Sequence, residues 1–412
     1  MQEKLELGSG RLIPTGMWKR AIVLGLGLVL GVGVLSAADE QTFSLRKGID
    51  GLSLSGDLRL RYEYADTDFS NDPDANYKSR FRHRVRLGGV WKNQAEDWEV
   101  GLGLEAGSSD GTSANQSWNT KKVWESGSVY LDYAYAKHVF GESGFSLTLG
   151  QQKNPWKKSF LSFDGDLRPT GATLAYDYDL FFATIGAYNI RSDSKLSGDS
   201  GQSLANMYGG QIGMQFKNDS LKGLLAAGFF YYDSNTSEFI ADGIDSDIVD
   251  EFFADADDYN YQIGTLYGEL GGKFEEFELK VLGEVAFNFG ADNDFNQGIA
   301  YGHAPEDYRA ESNDLGWLLG LEAKFSNFKA KYTYAHIEGD SVPWFTSDSD
   351  FGSAALRASR STNVRGHSIG LEYSFSKNFS IGATAMFTEL IEAASDKDRD
   401  GTLYQIDLVY KF

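Results

Sequence analysis

The chain of 412 residues lacks cysteine altogether and contains only six prolines and five histidines. Without cysteine it can have neither a disulfide framework nor thiolate chemistry. The histidines form neither an H-E-x-x-H motif nor a paired metal spacing, and the chain has no G-x-S-x-G nucleophile elbow. We therefore expect no enzymatic activity, and keep a hydrolase with an unrecognised site as the remote alternative.

Long apolar runs are also missing after residue 38, where no segment has the roughly 18 uninterrupted apolar residues of a spanning helix. The one long run, Ala21 to Leu35, follows Met17-Trp-Lys-Arg and precedes Ser36-Ala-Ala. This order is typical of a secretory signal peptide, with a membrane anchor as the alternative. We predict an N-terminal extension and signal peptide over residues 1–38, with Met17 as the candidate true start, and a periplasmic lead over residues 39–51.

Basic residues are scarce relative to acidic ones, with 38 Lys and Arg against 59 Asp and Glu. Removing residues 1–38, which carry four basic and two acidic side chains, takes the net charge from −21 to −23. A chain of this charge would be repelled by phosphate backbones, so we expect no nucleic acid partner.

Glycine and aromatic residues are abundant, with 47 Gly, 28 Phe and 22 Tyr. At the end of the chain, apolar and polar residues alternate with period two. The even positions read Tyr404, Ile406, Leu408, Tyr410 and Phe412, and the odd positions read Gln405, Asp407 and Lys411 around Val409. A strand with one apolar and one polar face is typical of the closing strand of a transmembrane β-barrel, where lipid meets one face and a water-filled lumen the other.

The same alternation predicts an all-β transmembrane antiparallel barrel over residues 52–412, with sixteen strands, and fourteen or eighteen as alternatives. Connections alternate between short and long, which predicts short periplasmic turns and long outer loops, the first over residues 65–78. A soluble β-sandwich is the alternative, but it would not sort its loops by length onto two ends. The predicted strands are 52–64, 79–92, 97–108, 126–138, 144–151, 170–179, 181–190, 205–217, 221–233, 261–273, 277–289, 313–325, 328–337, 363–375, 379–390 and 401–412.

The second strand carries arginine on every even position from Arg80 to Arg86 and apolar residues at Phe81, Val85 and Leu87. Arginine at the bilayer midplane costs about 2–4 kcal/mol, so these side chains must face the lumen. Two interpretations stay open: a wall salt-bridged by neighbouring carboxylates, for which the candidates are Glu63, Glu99, Glu105 and Asp407, or a charged ring that tunes ion selectivity. With the first strand, the predicted pore-lining basic wall is Arg59, Arg61, Arg80, Arg82, Arg84 and Arg86.

The third outer loop, residues 152–169, contains Trp156, Phe160 and Phe163, which a fully solvated loop would not favour. We expect it to pack against the barrel interior. The stretch from Gly150-Gln-Gln-Lys-Asn-Pro-Trp156 through Asp164-Gly-Asp-Leu-Arg-Pro-Thr-Gly171, with Arg80-Phe-Arg-His-Arg-Val-Arg-Leu87 upstream, resembles the putative outer-membrane porins of Gram-negative bacteria.

This resemblance implies a bacterial outer-membrane channel for passive diffusion of small hydrophilic solutes and ions, assembled as a homotrimer. It also implies that the third loop folds inward, with Asp164 and Asp166 opposite the basic wall. The loop departs from the pattern because it also contains basic residues. The transverse field would therefore be weaker, or the eyelet would favour anions. A surface adhesion or structural barrel with a blocked lumen is the alternative. The constriction-loop candidates are Lys153, Trp156, Lys157, Lys158, Asp164, Asp166 and Arg168.

Acidic outer loops suggest cations as further ligands, although no other cofactor is expected. Between Asp233 and Asp258 the chain has ten carboxylates and no Lys or Arg, which indicates either a solvated surface or Ca²⁺ or Mg²⁺ bridging to lipopolysaccharide phosphates. The spacing of Asp396, Asp398 and Asp400 resembles part of a calcium loop, without its flanking helices. The remaining expected partners are outer-membrane lipid and, through the terminal strand ending in Phe412, the barrel-assembly machinery.

Overall fold

β-Strands make up nearly all of the regular structure, as the alternation of apolar and polar residues requires. The computed structural model describes residues 50–69, 72–93, 95–107, 111–118, 123–124, 126–192, 204–233, 261–293, 305, 307–357, 360–393 and 399–412. In chain order the strands are β1 (Leu52–Phe69), β2 (Asp72–Asn93), β3 (Trp98–Gly107), β4 (Gln116–Ser117), β5 (Ser128–Val139), β6 (Phe145–Gln151), β7 (Thr170–Tyr178), β8 (Phe181–Ser192), β9 (Leu204–Lys217), β10 (Leu221–Tyr232), β11 (Gln262–Phe274), β12 (Phe277–Asn288), β13 (Leu315–Phe325), β14 (Phe328–Ile337), β15 (Val364–Ser374), β16 (Phe379–Leu390) and β17 (Arg399–Lys411).

Sixteen of these strands close into one antiparallel barrel, because β1 pairs with β2 on one side and with β17 on the other. The remaining strand, β4, has two residues and pairs only with Arg82 and His83 of β2. The predicted sixteen-stranded transmembrane barrel is therefore confirmed, and β4 was not predicted. The signal peptide and most of the predicted lead lie outside the described residues and stay predictions.

The predicted first outer loop over residues 65–78 is wrong. Strand β1 continues to Phe69 and β2 begins at Asp72, so the two form one long hairpin. Residues such as Asp66 and Asn76 are paired in this extension. Their polar character led to the loop prediction, but the extension is held by cross-strand pairing and by the buried Thr67, whose hydroxyl donates to the Ala354 carbonyl.

Each strand presents opposite side chains to two environments. In β2, Phe81, Val85 and Leu87 are exposed, whereas Arg82 is 6% exposed. In β12, Val281 and Val285 are exposed and Glu284 is buried. Apolar residues thus cover the outside of the barrel and polar residues line the inside, as transmembrane barrels require.

Two connections leave the strands at the long-loop end and contain buried side chains. We call residues 152–169 loop L3 and residues 338–363 loop L7. Loop L7 contains a turn of 3₁₀ helix (Trp344–Thr346) and helix α1 (Ser353–Leu356), and a further 3₁₀ turn spans Ala310–Ser312. Among the described residues, no helix has the length and hydrophobicity needed to cross a membrane.

Candidate functional site: the arginine wall and loop L3

The first half of L3, residues 157–162, is hydrogen-bonded to the inner faces of β9 and β12. The Lys157 N–H donates to Gln211 Oε1 at 2.8 Å, and the Gln211 amide returns a bond to the Lys157 carbonyl at 2.9 Å. The carboxylate of Glu284, which is 2% exposed, accepts from the Ser159 N–H at 2.6 Å and from the hydroxyls of Ser159 and Ser162. Because a buried carboxylate is costly without donors, these bonds specify the position of L3.

The other part of L3 is fixed to β2 and β5. Arg86 of β2 donates to Asp166 Oδ1 at 2.5 Å, and Arg168 donates to Asp132 Oδ1 at 2.6 Å. Asp132 is the extra residue of a β-bulge, where the register of β5 against β3 shifts. Since these partners and those on β9 and β12 all lie on the inner face, L3 crosses the barrel interior, as predicted for an inward-folded third loop.

Aromatic side chains anchor L3 against the inner wall. Trp156 makes edge contacts with Tyr188 and Phe230, with ring centroids 6.1 and 5.1 Å away, and Phe163 meets Phe230 at 5.0 Å. A Cβ at Gly209 would come within 2.8 Å of the Trp156 indole, so glycine is needed there for this approach. The predicted packing of the L3 aromatics against the interior is thus what the structure shows.

Loop L7 also folds inward, which the sequence did not indicate. Phe351 of L7 contacts Phe160 of L3 with ring centroids 5.2 Å apart. The Asp164 N–H donates to the Thr346 carbonyl at 2.7 Å, and the Ser349 N–H donates to Asp164 Oδ2 at 3.0 Å. The two loops therefore form one unit inside the barrel.

The arginine wall lies on the inner face as predicted, and its charges are paired with carboxylates. Arg59 is the exception, since it donates to the amide oxygen of Asn115. The pairs are Arg61 with Asp407 and Asp350, Arg80 and Arg82 with Glu63, Arg84 with Asp57, and Arg86 with Glu105 and Asp166. Glu63, Glu105 and Asp407 act as the sequence suggested, whereas Asp57 and Asp350 were not identified.

Glu99 does not contribute to the arginine wall, so its candidacy as a partner is wrong. It lies directly opposite Lys92 in the pairing of β2 with β3, and the two side chains form an ion pair at 2.9 Å. Glu105 lies opposite Arg86 in the same pairing. The register of the two strands, which alternation alone does not specify, decides which glutamate meets which cation.

Four loop carboxylates divide into two kinds of environment. Burial alone would raise the pKa of Asp166, but Arg86, Arg84 and the Ala114 N–H outweigh it and lower the pKa to about 2. Burial and then the neighbouring Asp348 raise the pKa of Asp164 to about 7.

The L7 carboxylates differ in the same way. Burial and then Asp350 raise the pKa of Asp348 to about 6. The pKa of Asp350 is lowered in spite of burial, because Arg61 and Arg82 lie close to it. The two carboxylates with lowered pKa values, Asp166 and Asp350, therefore contact the arginine wall. The two with raised pKa values are Asp164 and Asp348.

The predicted lysines of L3 do not contact the arginine wall. Lys153 Nζ lies 5.5 Å from the centroid of the Tyr133 ring, and Lys157 Nζ lies 5.7 Å from that of Phe182. Lys158 Nζ donates to the carbonyls of Phe163 and Asp164 inside L3 itself, at 2.6 and 3.1 Å.

The calcium prediction remains open. Asp396 and Asp398 lie outside the described residues, as does most of the acidic loop after Asp233, while Asp400 belongs to β17. Within the described part of the chain, no group of three or more His, Asp or Glu side chains is arranged to hold a metal ion.

Part of the chain matches a known protein family. A family described as "Putative porin" matches residues 44–242. No curated protein matches the chain.

Among solved structures, the chain is similar to OprB of Pseudomonas putida at low pH, with 10% identity, a TM-score of 0.47 and coverage of 88% of this chain and 93% of that one. It is also similar to Salmonella typhi OmpF in complex with daunomycin, with 11% identity, a TM-score of 0.47 and coverage of 88% and 97%. A mutant of the Rh. blastica porin follows, with 10% identity, a TM-score of 0.43 and coverage of 88% and 100%. The match to the putative porin family over residues 44–242 and the closed antiparallel barrel agree with the porin resemblance of the sequence.

Proposed function

We propose that this protein is a porin through which small hydrophilic solutes and ions diffuse passively, without energy coupling or catalysis. The observation that carries the proposal is the crossing of the interior by L3, which faces the arginine wall through Arg86 and Asp166. A barrel of this size has room for an aqueous channel. A loop bound to its inner wall narrows that channel to a charged eyelet.

The wall arginines and the loop carboxylates have distinct roles in this proposal. Each guanidinium except that of Arg59 is held in a fixed orientation by a carboxylate, so it presents a local charge to a passing solute without a large net field. Asp166 supplies the opposite charge from L3. Solutes would therefore be oriented by a short-range pattern of charge, and the solute class would be limited mainly by size.

The proposal places the protein in the outer membrane after export through the periplasm. The exposed apolar face would contact lipid and lipopolysaccharide, and the terminal strand ending in Phe412 would be read by the barrel-assembly machinery. A homotrimer is proposed from the porin resemblance. Sedimentation in mild detergent tests it, since a monomer would contradict this part.

A structural or adhesive barrel with a blocked lumen is the second candidate. It is favoured by L7, which places Val342, Phe351, Ala355 and Leu356 in an apolar cluster with the L3 anchors inside the barrel. Such a cluster occupies lumen that an open channel would leave to water. The size of the remaining gap beside the arginine wall decides between the two.

Swelling of proteoliposomes in neutral sugars of increasing size separates the candidates. A porin predicts swelling whose rate falls steeply as the sugar approaches the eyelet width. A blocked barrel predicts no swelling with any sugar, at the same amount of inserted protein. A heat-unfolded sample, added to the liposomes under the same conditions, controls for leakage that does not depend on the folded barrel.

A further inference from the structure

A second basic region lines the barrel near its short turns, on the inner face of β9 to β14. Three glutamates share this face, Glu269, Glu278 and Glu322, and Glu372 lies on the adjacent strand β15. Lysines outnumber them. They are Lys217, Lys222, Lys273, Lys280, Lys324, Lys329 and Lys331, which we call the lysine vestibule.

The lysine vestibule differs from the arginine wall in its pairing. Lys280 meets Glu269 at 3.7 Å, and Lys329 and Lys331 share Glu322 at 3.2 and 3.8 Å. The other lysines, Lys217, Lys222, Lys273 and Lys324, make no ion pair with any carboxylate of the described residues. Lys273 and Lys324 both lie opposite the single Glu278 in the strand register, so lysines exceed carboxylates in this region, whereas the wall arginines and their carboxylates are matched in number.

Like charges also face each other directly in this region. Lys217 lies opposite Lys222 between β9 and β10, and Lys324 lies opposite Lys329 between β13 and β14. Directly opposed like charges destabilise a strand pair. An anion between them would remove this cost, so the arrangement is suited to a bound negative charge.

A cavity of about 210 Å³ lies at this place. Its lining includes five of the vestibule lysines and three carboxylates, Glu278, Glu322 and Asp219 of the turn 218–220. Gly271 lies between Lys222 and Lys280 in the register. A Cβ at Gly271 would come within 2.9 Å of Lys222 Cε, so glycine leaves space for the Lys222 stem to lie across β11.

We propose that the lysine vestibule is a binding site for small dianions, represented by inorganic phosphate, at the periplasmic end of the barrel. This proposal rests on the proposed channel function only in placing the site on the path of the solutes. Binding of phosphate to the lysines does not require that the barrel conducts. Phosphate suits the site because its two charges match the excess of five lysines over three carboxylates in the cavity lining, and exposed ammonium groups exchange it readily.

Two measurements with the purified protein test this site. In planar bilayers, phosphate added to the side of the short turns should reduce the chloride current. Phosphorus NMR of phosphate in detergent solution should show line broadening by the protein, independently of any current. The variant Lys222→Gln with Lys273→Gln and Lys324→Gln should raise the half-effective phosphate concentration about threefold to tenfold in both.

Lys377→Gln is the matched control, because Lys377 is an exposed lysine in the turn between β15 and β16, outside the cavity. It should leave both readouts unchanged. Equal phosphate effects in the triple variant and the wild type, or no line broadening by the wild type, would overturn the assignment. Line broadening without any current would instead contradict the channel and leave the vestibule supported.

Discussion

Arg86 of β2 and Asp166 of L3, 80 residues apart, are joined by a hydrogen-bonded ion pair with side chains about one-fifth exposed or less. Asp166 also lies 3.9 Å from Arg84 and accepts from the Ala114 N–H. This one carboxylate therefore connects the inward loop, the basic wall and the segment that contains β4.

Neutralising this carboxylate should change ion selectivity. Replacement Asp166→Asn removes the negative partner of Arg86 and Arg84, so the reversal potential in a salt gradient should move towards anions. The measurement is made at about pH 6, where Asp166 is ionised and Asp164 is largely protonated. Asp164→Asn, in the same loop, is the matched control and should leave the potential unchanged at that pH.

The opposite shift is expected when the wall loses cations. Replacing Arg82, Arg84 and Arg86 together with Ser leaves Asp57, Glu63, Glu105 and Asp166 without these partners, so the reversal potential should move towards cations. We expect the wild type to be near neutral or weakly anion-selective, because the outer-loop field decays within about 8 Å at physiological salt. An unchanged potential in the triple variant, together with a shift on neutralising the carboxylates of residues 242–258, would make the arginines structural.

The contact between L3 and L7 should depend on pH through Asp164 and Asp348. The pKa of Asp164 is raised to about 7 and that of Asp348 to about 6, from an ordinary value of 3.8. A group whose pKa is raised on folding stabilises the folded contact at low pH and loses that contribution as pH rises through the raised value. The contact should therefore be strongest below the ordinary value, near pH 4, and weaken as the pH rises to about 7, above which no further loss is expected.

Hydrogen exchange at the Ser349 amide, which donates to Asp164, measures this contact. Exchange, corrected for its intrinsic pH dependence, should accelerate from about pH 4 to about pH 7 and then level off. Neighbouring charges are Lys158, Asp166 and Asp350, of which Lys158 donates only to carbonyl oxygens. Asp164→Asn should remove most of the acceleration, and a full acceleration in that variant would argue against the carboxylate pair.

Trp156 should contribute most of the apolar energy that holds L3. Its side chain is 4% exposed and contacts Tyr188 and Phe230. Truncation of a buried aromatic costs about 3–5 kcal/mol, so Trp156→Ala should release L3 and make single-channel currents noisier. Trp124→Ala, at a residue that is 89% exposed, is the control and should leave the current steady.

Alternation of side chains was sufficient to predict the barrel. The closing strand was predicted over residues 401–412 and is Arg399–Lys411, and β14 has the predicted bounds. Lipid and lumen impose period two on every residue of a strand, so the pattern extends over the full length. In the β1–β2 hairpin beyond residue 65 the sequence is mostly polar and lacks this period, so the prediction was wrong.

The candidate site was predictable only in part. The arginine period placed the wall, and the aromatics of L3 indicated an inward loop. The partners Asp132 and Asp350 were not predictable, because one depends on a β-bulge and the other on the inward folding of L7. The bulge in β5 and the path of L7 are properties of the three-dimensional arrangement, which alternation does not specify.

Single-channel recording in planar bilayers tests the central claim most directly. Purified wild-type protein should insert with stable current steps, and deletion of residues 156–166 should give larger steps because the loop that narrows the lumen is shortened. Asp166→Asn, which leaves the loop intact, should change the selectivity much more than the step size. The absence of steps in both the wild type and the deletion variant, with insertion verified, would contradict the channel.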